Sequence, residues 1–123
     1  MKINLSDGEW KVMNRLWEHA PRTITELVGA LREETGWSKH TVITMLGRME
    51  SKGAVHYAEG ARAKQYYPSI RREDAILTET ESFLHKVGGF GSLVNAMVST
   101  NALTEKDLAE LSELLRQTKE ESL

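Results

Sequence analysis

The stretch GWSKHTVITMLGRMESKG, residues 36–53, contains one complete amphipathic helix together with its start and stop signals. Ser38 is a favourable N-cap, and Gly53 supplies the permissive backbone that helix ends favour. Between them, apolar residues follow the i, i+3, i+4, i+7 spacing of a single buried stripe. The residues of this stripe are Val42, Met45, Leu46 and Met49. The pattern predicts a helix that packs one face against a core.

The opposite face of this helix is polar and cationic. It carries His40, Thr41, Thr44 and Arg48, with Ser38 and Lys39 at its start and Lys52 at its end. Threonine can contact base edges, arginine can bind guanine or phosphate, and a helix N-terminus favours an anion. We therefore expect a DNA recognition helix, in which Thr41 and Thr44 contact bases and Arg48 contacts phosphate or guanine. An ordinary solvated helix face is the alternative.

Two helices are expected before this stretch, each opened by a capping box. Ser6 and Glu9 have the required spacing, and so do Thr23 and Glu26. The apolar residues expected to face the core are Trp10, Met13, Leu16 and Trp17 in the first helix, and Ile24, Leu27, Val28 and Leu31 in the second. A short turn containing Gly36 joins the second helix to the third, which is the helix-turn-helix pattern.

After Gly53 the hydrophobic period changes from 3.6 to 2, which predicts a β-hairpin. Residues 54–57 form the first predicted strand, 58–62 the turn, and 63–67 the second strand, which Pro68 ends. This hairpin is a wing whose Arg62 and Lys64 are expected to contact the DNA backbone.

The C-terminal part is predicted to be helical and to mediate dimerisation. Helices are expected over residues 72–87, from Phe90 and from Thr104, with Gly88-Gly89 ending the first of them. Such short amphipathic helices can build little core alone, so pairing with a second copy is expected; packing within one monomer is the alternative. The predicted domains are residues 1–69, a winged helix, and 70–123, a dimerisation domain. The predicted interface residues are Phe83, Phe90, Leu93, Val94, Met97, Leu108, Leu111 and Leu115.

The charges are distributed unevenly along the chain. The net charge is −2, but residues 1–68 hold ten Lys/Arg against eight Asp/Glu, whereas residues 69–123 hold six against ten. Positive charge is concentrated in residues 38–65, where five basic residues accompany two acidic ones. Because phosphate binding needs a local basic patch, a negative net charge is compatible with DNA binding.

Several classes of protein are excluded or disfavoured by the sequence. The absence of cysteine excludes disulfides and Cys-ligated metals, and the histidines show no metal-ligand spacing. Motifs typical of phosphate loops, serine hydrolases and zinc proteases are absent, so no enzymatic activity, metal or cofactor is expected. With no apolar run long enough to span a membrane and no apolar secretory region, a cytoplasmic location without membrane insertion is expected.

Residues spread over nearly the whole chain resemble the penicillinase-repressor family, the bacterial winged-helix regulators that include BlaI, MecI and the copper-responsive CopY type. The matching residues are Glu9-Trp10-Lys11-Val12-Met13, Trp37-Ser38, Thr41, Thr44, Arg48, Lys52-Gly53, Gln65-Tyr66-Tyr67, Phe83, Lys86-Val87 and Gly88-Gly89-Phe90-Gly91-Ser92-Leu93-Val94. The resemblance implies a homodimeric repressor that binds palindromic double-stranded operator DNA and controls β-lactam resistance genes. It further implies release when a membrane sensor metalloprotease cleaves the dimerisation region.

The chain departs from the family pattern at several positions. The family's Asn-Phe cleavage bond corresponds here to Ala96-Met97, with Asn95 one position earlier. The lack of cysteine disfavours the copper-responsive branch. His40 replaces a common lysine and Ile43 a common polar residue, which implies a different operator sequence or affinity. Two further alternatives stay open: a winged-helix repressor released by a small ligand, and a winged-helix module that binds protein.

Overall fold

The computed structural model describes residues 2–122, and its regular elements are six helices and two strands. They are, in order, α1 Asp7–Glu18, α2 Ile24–Thr35, α3 Lys39–Ser51, β1 Val55–Glu59, β2 Lys64–Pro68, α4 Arg72–Val87, α5 Phe90–Ser99 and α6 Glu105–Ser122. The two strands pair antiparallel as a hairpin. This order confirms the predicted mostly α fold with a small β-hairpin.

Both predicted capping boxes are formed. The Ser6 hydroxyl accepts from the Glu9 backbone N–H at 3.2 Å, and the Glu9 carboxylate accepts from the Ser6 N–H at 2.8 Å. Thr23 and Glu26 make the same reciprocal pair at 3.1 and 2.9 Å. Gly36 ends α2 with φ +66°, a conformation that glycine adopts without steric cost. These local bonds fix the start of α1 and the two ends of α2.

The core of the N-terminal part lies between the first three helices and the hairpin. Its largest fully buried side chains are Met13, Leu16, Leu27, Leu31, Leu46, Met49, Val12 and Val42. The buried faces of α2 and α3 agree with the predicted stripes, apart from Ile24, Val28 and Met45, which are half-buried.

The buried face of α1 differs from the prediction. The stripe consists of Glu9, Val12, Met13 and Leu16. Trp10 and Trp17 lie half-buried at its margin, with ring centroids 5.7 Å apart and an edge-on geometry. The Trp17 indole N–H donates to the carbonyl of Ile70 at 3.0 Å. The large indoles thus cover the edge of the core, where their polar N–H groups can find partners.

The hairpin has the predicted location with shifted strand ends. Tyr57 pairs with Tyr66, and Glu59 pairs with Lys64, so β1 extends two residues beyond the predicted strand. Tyr66 is buried, at 5% exposure, and belongs to the core of the N-terminal unit. Arg22 exchanges two backbone hydrogen bonds with Tyr66, at 3.2 and 2.9 Å. This bridge ties the wing to the segment between α1 and α2.

The chain divides into two compact units, Met1–Glu81 and Ser82–Leu123. The boundary lies within α4 and not at the predicted position between residues 69 and 70. Ala75 explains the difference, because it is 4% exposed and belongs to the core of the N-terminal unit. The first half of α4 therefore completes that unit.

The second unit contains the end of α4 together with α5 and α6. Gly88 and Gly89 both have positive φ, +89° and +104°, so the predicted break after α4 requires glycine. Among residues 82–120, whose side chains the structure describes, none is buried. Exposed large apolar side chains in this unit are Phe83, Phe90, Val98, Leu108, Leu111, Leu114 and Leu115. As a single copy, this unit leaves its apolar surface in contact with solvent.

Candidate nucleic-acid interface

The first turn of α3 is organised by its own hydroxyl groups. Ser38 caps the helix by accepting from the Thr41 N–H at 3.2 Å. The two side-chain oxygens of Ser38 and Thr41 lie 3.1 Å apart, within hydrogen-bonding distance. Thr41 is half-buried, whereas Ser38 is exposed. Of the two predicted contacts, Ser38 therefore has more surface available to a ligand at the helix start.

One turn further along α3, Thr44 is exposed but its hydroxyl proton is already used. Thr44 Oγ1 donates to the carbonyl of His40 at 3.0 Å. The hydroxyl keeps its acceptor lone pairs, and the methyl group stays free. Toward a base edge, Thr44 thus offers an acceptor and an apolar group but no donor.

The rest of the outer face of α3 is exposed and carries positive charge. Lys39, His40 and Arg48 are exposed, and the first turn of the helix contains no acidic residue. Glu50, in the last turn, is the first carboxylate along the helix. The polar surface predicted from the sequence therefore exists as a cationic face opposite the buried Val42 and Leu46.

The wing and α3 meet at one cleft. This cleft has a volume of about 190 Å³. Its lining residues are Thr23, Ile24, Thr25, Lys39, Ala63 and Lys64. Two of the predicted DNA-binding lysines, one from α3 and one from β2, thus border the same opening, beside the start of α2. No local sequence pattern predicts this arrangement, since it depends on how the hairpin folds back over the helices.

The wing holds its cationic side chains at the surface. Lys64 Nζ lies 4.1 Å from the centre of the Tyr57 ring, a cation–π contact that positions the ammonium. The electrostatic interaction with Tyr57 raises the pKa of Lys64, so this side chain is cationic at neutral pH. Arg62 is exposed in the turn. Both are available for phosphate contact.

Lys52, assigned to DNA contact by the sequence, is engaged inside the N-terminal unit. Its ammonium donates to the Glu9 carboxylate at 2.8 Å and to the Asn4 carbonyl at 2.9 Å. Glu9 is buried, with 3% exposure, so Lys52 neutralises a carboxylate that has little access to water. The structure thus gives Lys52 a structural role.

The predicted interface and cleavage residues all lie in the second unit. Phe83, Phe90, Leu108, Leu111 and Leu115 are exposed, whereas Leu93, Val94 and Met97 are half-buried. Asn95, Ala96 and Met97 lie within α5, with the first two exposed. The candidate cleavage bond is therefore part of a helix.

Within the part of the chain that the structure describes, no helix is long and apolar enough to cross a membrane. Nor do residues 2–120, whose side chains the structure describes, contain a group of three or more His, Asp or Glu residues arranged to hold a metal ion.

A sequence profile of the penicillinase-repressor family matches residues 5–117. The chain belongs to the penicillinase-repressor family. It is 31% identical over 117 residues to the penicillinase repressor of Bacillus licheniformis, covering 94% of this chain and 91% of that protein. It is 28% identical over 113 residues to the methicillin resistance regulatory protein MecI of Mammaliicoccus sciuri, covering 90% and 92% of the two chains.

Solved structures of penicillinase repressors share the fold of the N-terminal unit. The Bacillus licheniformis BlaI monomer in complex with the blaP half-operator is 32% identical, with a TM-score of 0.53. The match covers 60% of this chain and 90% of the BlaI chain. The family resemblance and the winged-helix fold predicted from the sequence are both confirmed. Membership in a family of DNA-binding transcriptional repressors also confirms that the chain is not an enzyme.

Two residues of the outer face of α3 were not assigned a contact from the sequence. Ile43 is 44% exposed, although it is a large apolar residue. Gly47 is exposed, and a Cβ added to it would meet no atom within 4 Å. The signal for both was present in the helical wheel, where each falls on the polar side.

Proposed function

We propose that this penicillinase-repressor family member is a dimeric repressor that binds palindromic operator DNA in the cytoplasm and controls β-lactam resistance-type genes. The observation that carries the proposal is the cationic outer face of α3, whose Lys39 shares a cleft with Lys64 of the wing. The structure of the similar BlaI monomer was solved in complex with half-operator DNA. The proposed DNA contacts are Ser38, Lys39, His40, Thr41, Thr44, Arg48, Arg62 and Lys64.

Dimerisation is supported by the second unit. The exposed leucines of α6 repeat at helical spacing, and none of the described side chains of this unit is buried. A single winged helix reads only a few base pairs, so two linked copies on a two-fold site increase both specificity and affinity. Linking two DNA-binding units raises the affinity by about 10²–10⁴-fold without any new contact.

The same arrangement supports the proposal that repression is relieved by proteolysis. A membrane sensor metalloprotease is the proposed agent, and the region around Asn95, Ala96 and Met97 is its proposed target. Proteases act on extended backbone, so α5 must unwind locally before cleavage. The N-terminus of α5, at Gly89, lacks a side-chain cap, and an uncapped helix terminus unwinds more readily. Cleavage within α5 would separate α6 from the DNA-binding unit.

The proposal is tested by titrating the purified protein into fluorescent duplexes. The specific probe is a duplex that the protein enriches from a randomised pool, and the control probe has the same bases in scrambled order. The stoichiometry is measured in parallel by light scattering. Specific binding with two subunits per duplex is expected. Four Lys/Arg contacts per subunit, from Lys39, Arg48, Arg62 and Lys64, give a log-log salt slope of about −7 for the dimer.

Arg48→Ala separates DNA contact from folding. It should weaken specific binding and reduce the salt slope by about 2 per dimer, because each subunit loses one phosphate contact. Arg71→Ala is the matched control, since Arg71 is exposed and pairs with Glu73 at the start of α4. Equal, salt-insensitive binding of both duplexes by the wild type would contradict the repressor and favour a protein-binding module.

A further inference from the structure

Ile43 is the one exposed large apolar side chain of α3, Lys39–Ser51. Its exposed fraction is 44%, whereas Val42, Leu46 and Met49 on the same helix are at most 1% exposed and Met45 is half-buried. Ile43 makes no part of the hydrophobic core. The packing of the N-terminal unit therefore gives no reason for an isoleucine at this position.

The surroundings of Ile43 form a low, partly apolar surface. Thr44 has spent its hydroxyl proton on the His40 carbonyl, so it presents a methyl group and an acceptor. Gly47, one turn after Ile43, has no side chain, and a Cβ there would meet nothing within 4 Å. Glycine destabilises a helix interior relative to alanine, and packing within the unit does not require it. The close approach of a ligand would account for a bare backbone here.

The charged groups around this surface fit duplex DNA, and the inference rests on the proposed function. Lys39, His40 and Arg48 are exposed on the same helix and suit phosphates. In the major groove, the C5-methyl group of thymine is the apolar feature of the base edges. An isoleucine can neither donate nor accept a hydrogen bond, which leaves this methyl as its base-specific partner.

We propose that Ile43 contacts the C5-methyl group of one thymine in each half-site and makes the repressor select thymine at that position. The contact depends on the methyl group and not on the hydrogen-bonding edge of the base. Deoxyuridine, which lacks the methyl, should therefore bind less well than thymidine. Conversely, 5-methylcytosine should bind better than cytosine at the same position.

The test uses duplexes that the wild-type protein enriches from a randomised pool. Each thymine of the half-site is replaced, one at a time, by deoxyuridine, and the Kd is measured by fluorescence anisotropy. At one position, loss of the methyl should weaken binding about fourfold per half-site, and roughly sixteenfold when both half-sites are changed. Ile43→Ala should bind the thymine duplex more weakly and should no longer distinguish thymine from uracil at that position.

Ile76→Ala is the matched control variant. Ile76 is an isoleucine of similar exposure, 39%, on α4. This variant should retain the wild-type preference for thymine over uracil, whatever its overall affinity. Circular dichroism verifies that both variants are folded.

Two results would overturn the assignment of Ile43. One is a wild-type protein that tolerates deoxyuridine at every thymine of the enriched duplex; the other is an Ile43→Ala variant that discriminates as the wild type does. Failure of the proposed function has a different signature, because the wild type would then enrich no duplex from the pool.

Discussion

Glu9 combines two tasks in one carboxylate. It closes the capping box of α1 by accepting from the Ser6 N–H at 2.8 Å. It also accepts a hydrogen bond of 2.8 Å from the ammonium of Lys52, the residue that caps the C-terminus of α3. Burial raises the pKa of Glu9, but the hydrogen bonds from Lys52 and Ser6 outweigh burial and hold the pKa below its usual value. The ionised carboxylate therefore stabilises the folded state.

Lys52→Met should destabilise the N-terminal unit. We expect a loss of about 1–3 kcal/mol at pH 7, because Glu9 loses its cationic partner; the partial exposure of Lys52 keeps the loss below that of a fully buried pair. A depressed carboxyl pKa stabilises the fold above the unfolded value of about 4.5, and this contribution is lost as the pH falls through the folded pKa. Thermal unfolding at pH 7 and pH 3 should therefore show a smaller deficit in acid.

Lys39→Met is the control for this prediction. Lys39 is exposed at the other end of α3, so its replacement should leave the thermal stability nearly unchanged and weaken DNA binding. A reversed pattern, in which Lys52→Met keeps full stability but loses DNA affinity, would restore Lys52 to the DNA interface.

Gly47→Ala should separate stability from binding. Alanine in a helix interior should raise the free energy of unfolding by about 0.5–1 kcal/mol, since no atom lies within 4 Å of the added Cβ. The same methyl should obstruct the base edge and weaken specific DNA binding about fivefold or more. Gly29→Ala is the matched control, because Gly29 is also exposed, lies within α2 and has no atom within 4 Å of an added Cβ. It should gain stability without losing affinity; identical affinities for the two variants would argue against close approach at Gly47.

The residues that the sequence placed correctly are those whose structure depends on near neighbours. The capping boxes of α1 and α2, the Ser38 cap and the Gly88-Gly89 break all involve residues within a few positions of one another. The partner of Lys52 lies 43 residues away, and no local pattern contains that information. Lys39 and Lys64 are 25 residues apart, so no local pattern predicts their shared cleft either.

At the level of whole elements, the helices were predicted more accurately than their faces. In α1, the predicted buried stripe included the two tryptophans. The buried residues are instead Glu9, Val12, Met13 and Leu16. The error arises because a buried glutamate does not register as a core residue until Lys52 is known to neutralise it. In α4, acidic composition suggested a boundary at its start, whereas Ala75 attaches its first half to the N-terminal core.

The wing turn permits a prediction about the hairpin as an element. Gly60 donates to the carbonyl of Ala63 at 3.0 Å, and a Cβ at Gly60 would lie 2.4 Å from that same oxygen. Gly60→Ala should therefore open the turn and displace Arg62 and Lys64. We expect the salt slope of DNA binding to decrease by about 4 per dimer, that is, two phosphate contacts per subunit.

The core should tolerate this change, because Tyr66 remains anchored by its two backbone bonds to Arg22. A double variant, Arg62→Ala with Lys64→Ala, removes the charges while it keeps the turn. It should show the same decrease in salt slope as Gly60→Ala. Wild-type salt dependence in both variants would remove the wing from the interface.

The whole molecule separates charge and apolar surface along the chain. Residues 1–68 carry the positive excess, whereas residues 69–123 hold six Lys/Arg against ten Asp/Glu. The second unit, residues 82–123, holds four Lys/Arg against six Asp/Glu, so DNA phosphates repel it, and we propose that its apolar surface meets a protein partner. Composition alone could predict this uneven distribution of charge. The identity of the partner as a second copy remains a proposal, whose physical basis is that residues 82–120 bury no side chain by themselves.

Leu111→Glu tests the dimer directly. Leu111 is 44% exposed in the single copy, on the same face of α6 as Leu108 and Leu115. In a dimer this face becomes buried, where an unpaired carboxylate is strongly unfavourable, so the variant should be monomeric in analytical ultracentrifugation. Because bivalent binding is lost with the dimer, its affinity for a palindromic duplex should fall by about 10²–10⁴, whereas its affinity for a half-site should be unchanged.

Ala109→Glu adds the same charge on the opposite side of α6, about half a turn around the helix from Leu111. Ala109 is also exposed, so this control should sediment as a dimer and bind the palindrome as the wild type does. A Leu111→Glu protein that still sediments as a dimer would place the interface elsewhere. If both variants became monomeric, added charge on either side of α6 would be sufficient to dissociate the dimer, and the leucine face could not be assigned as its contact surface.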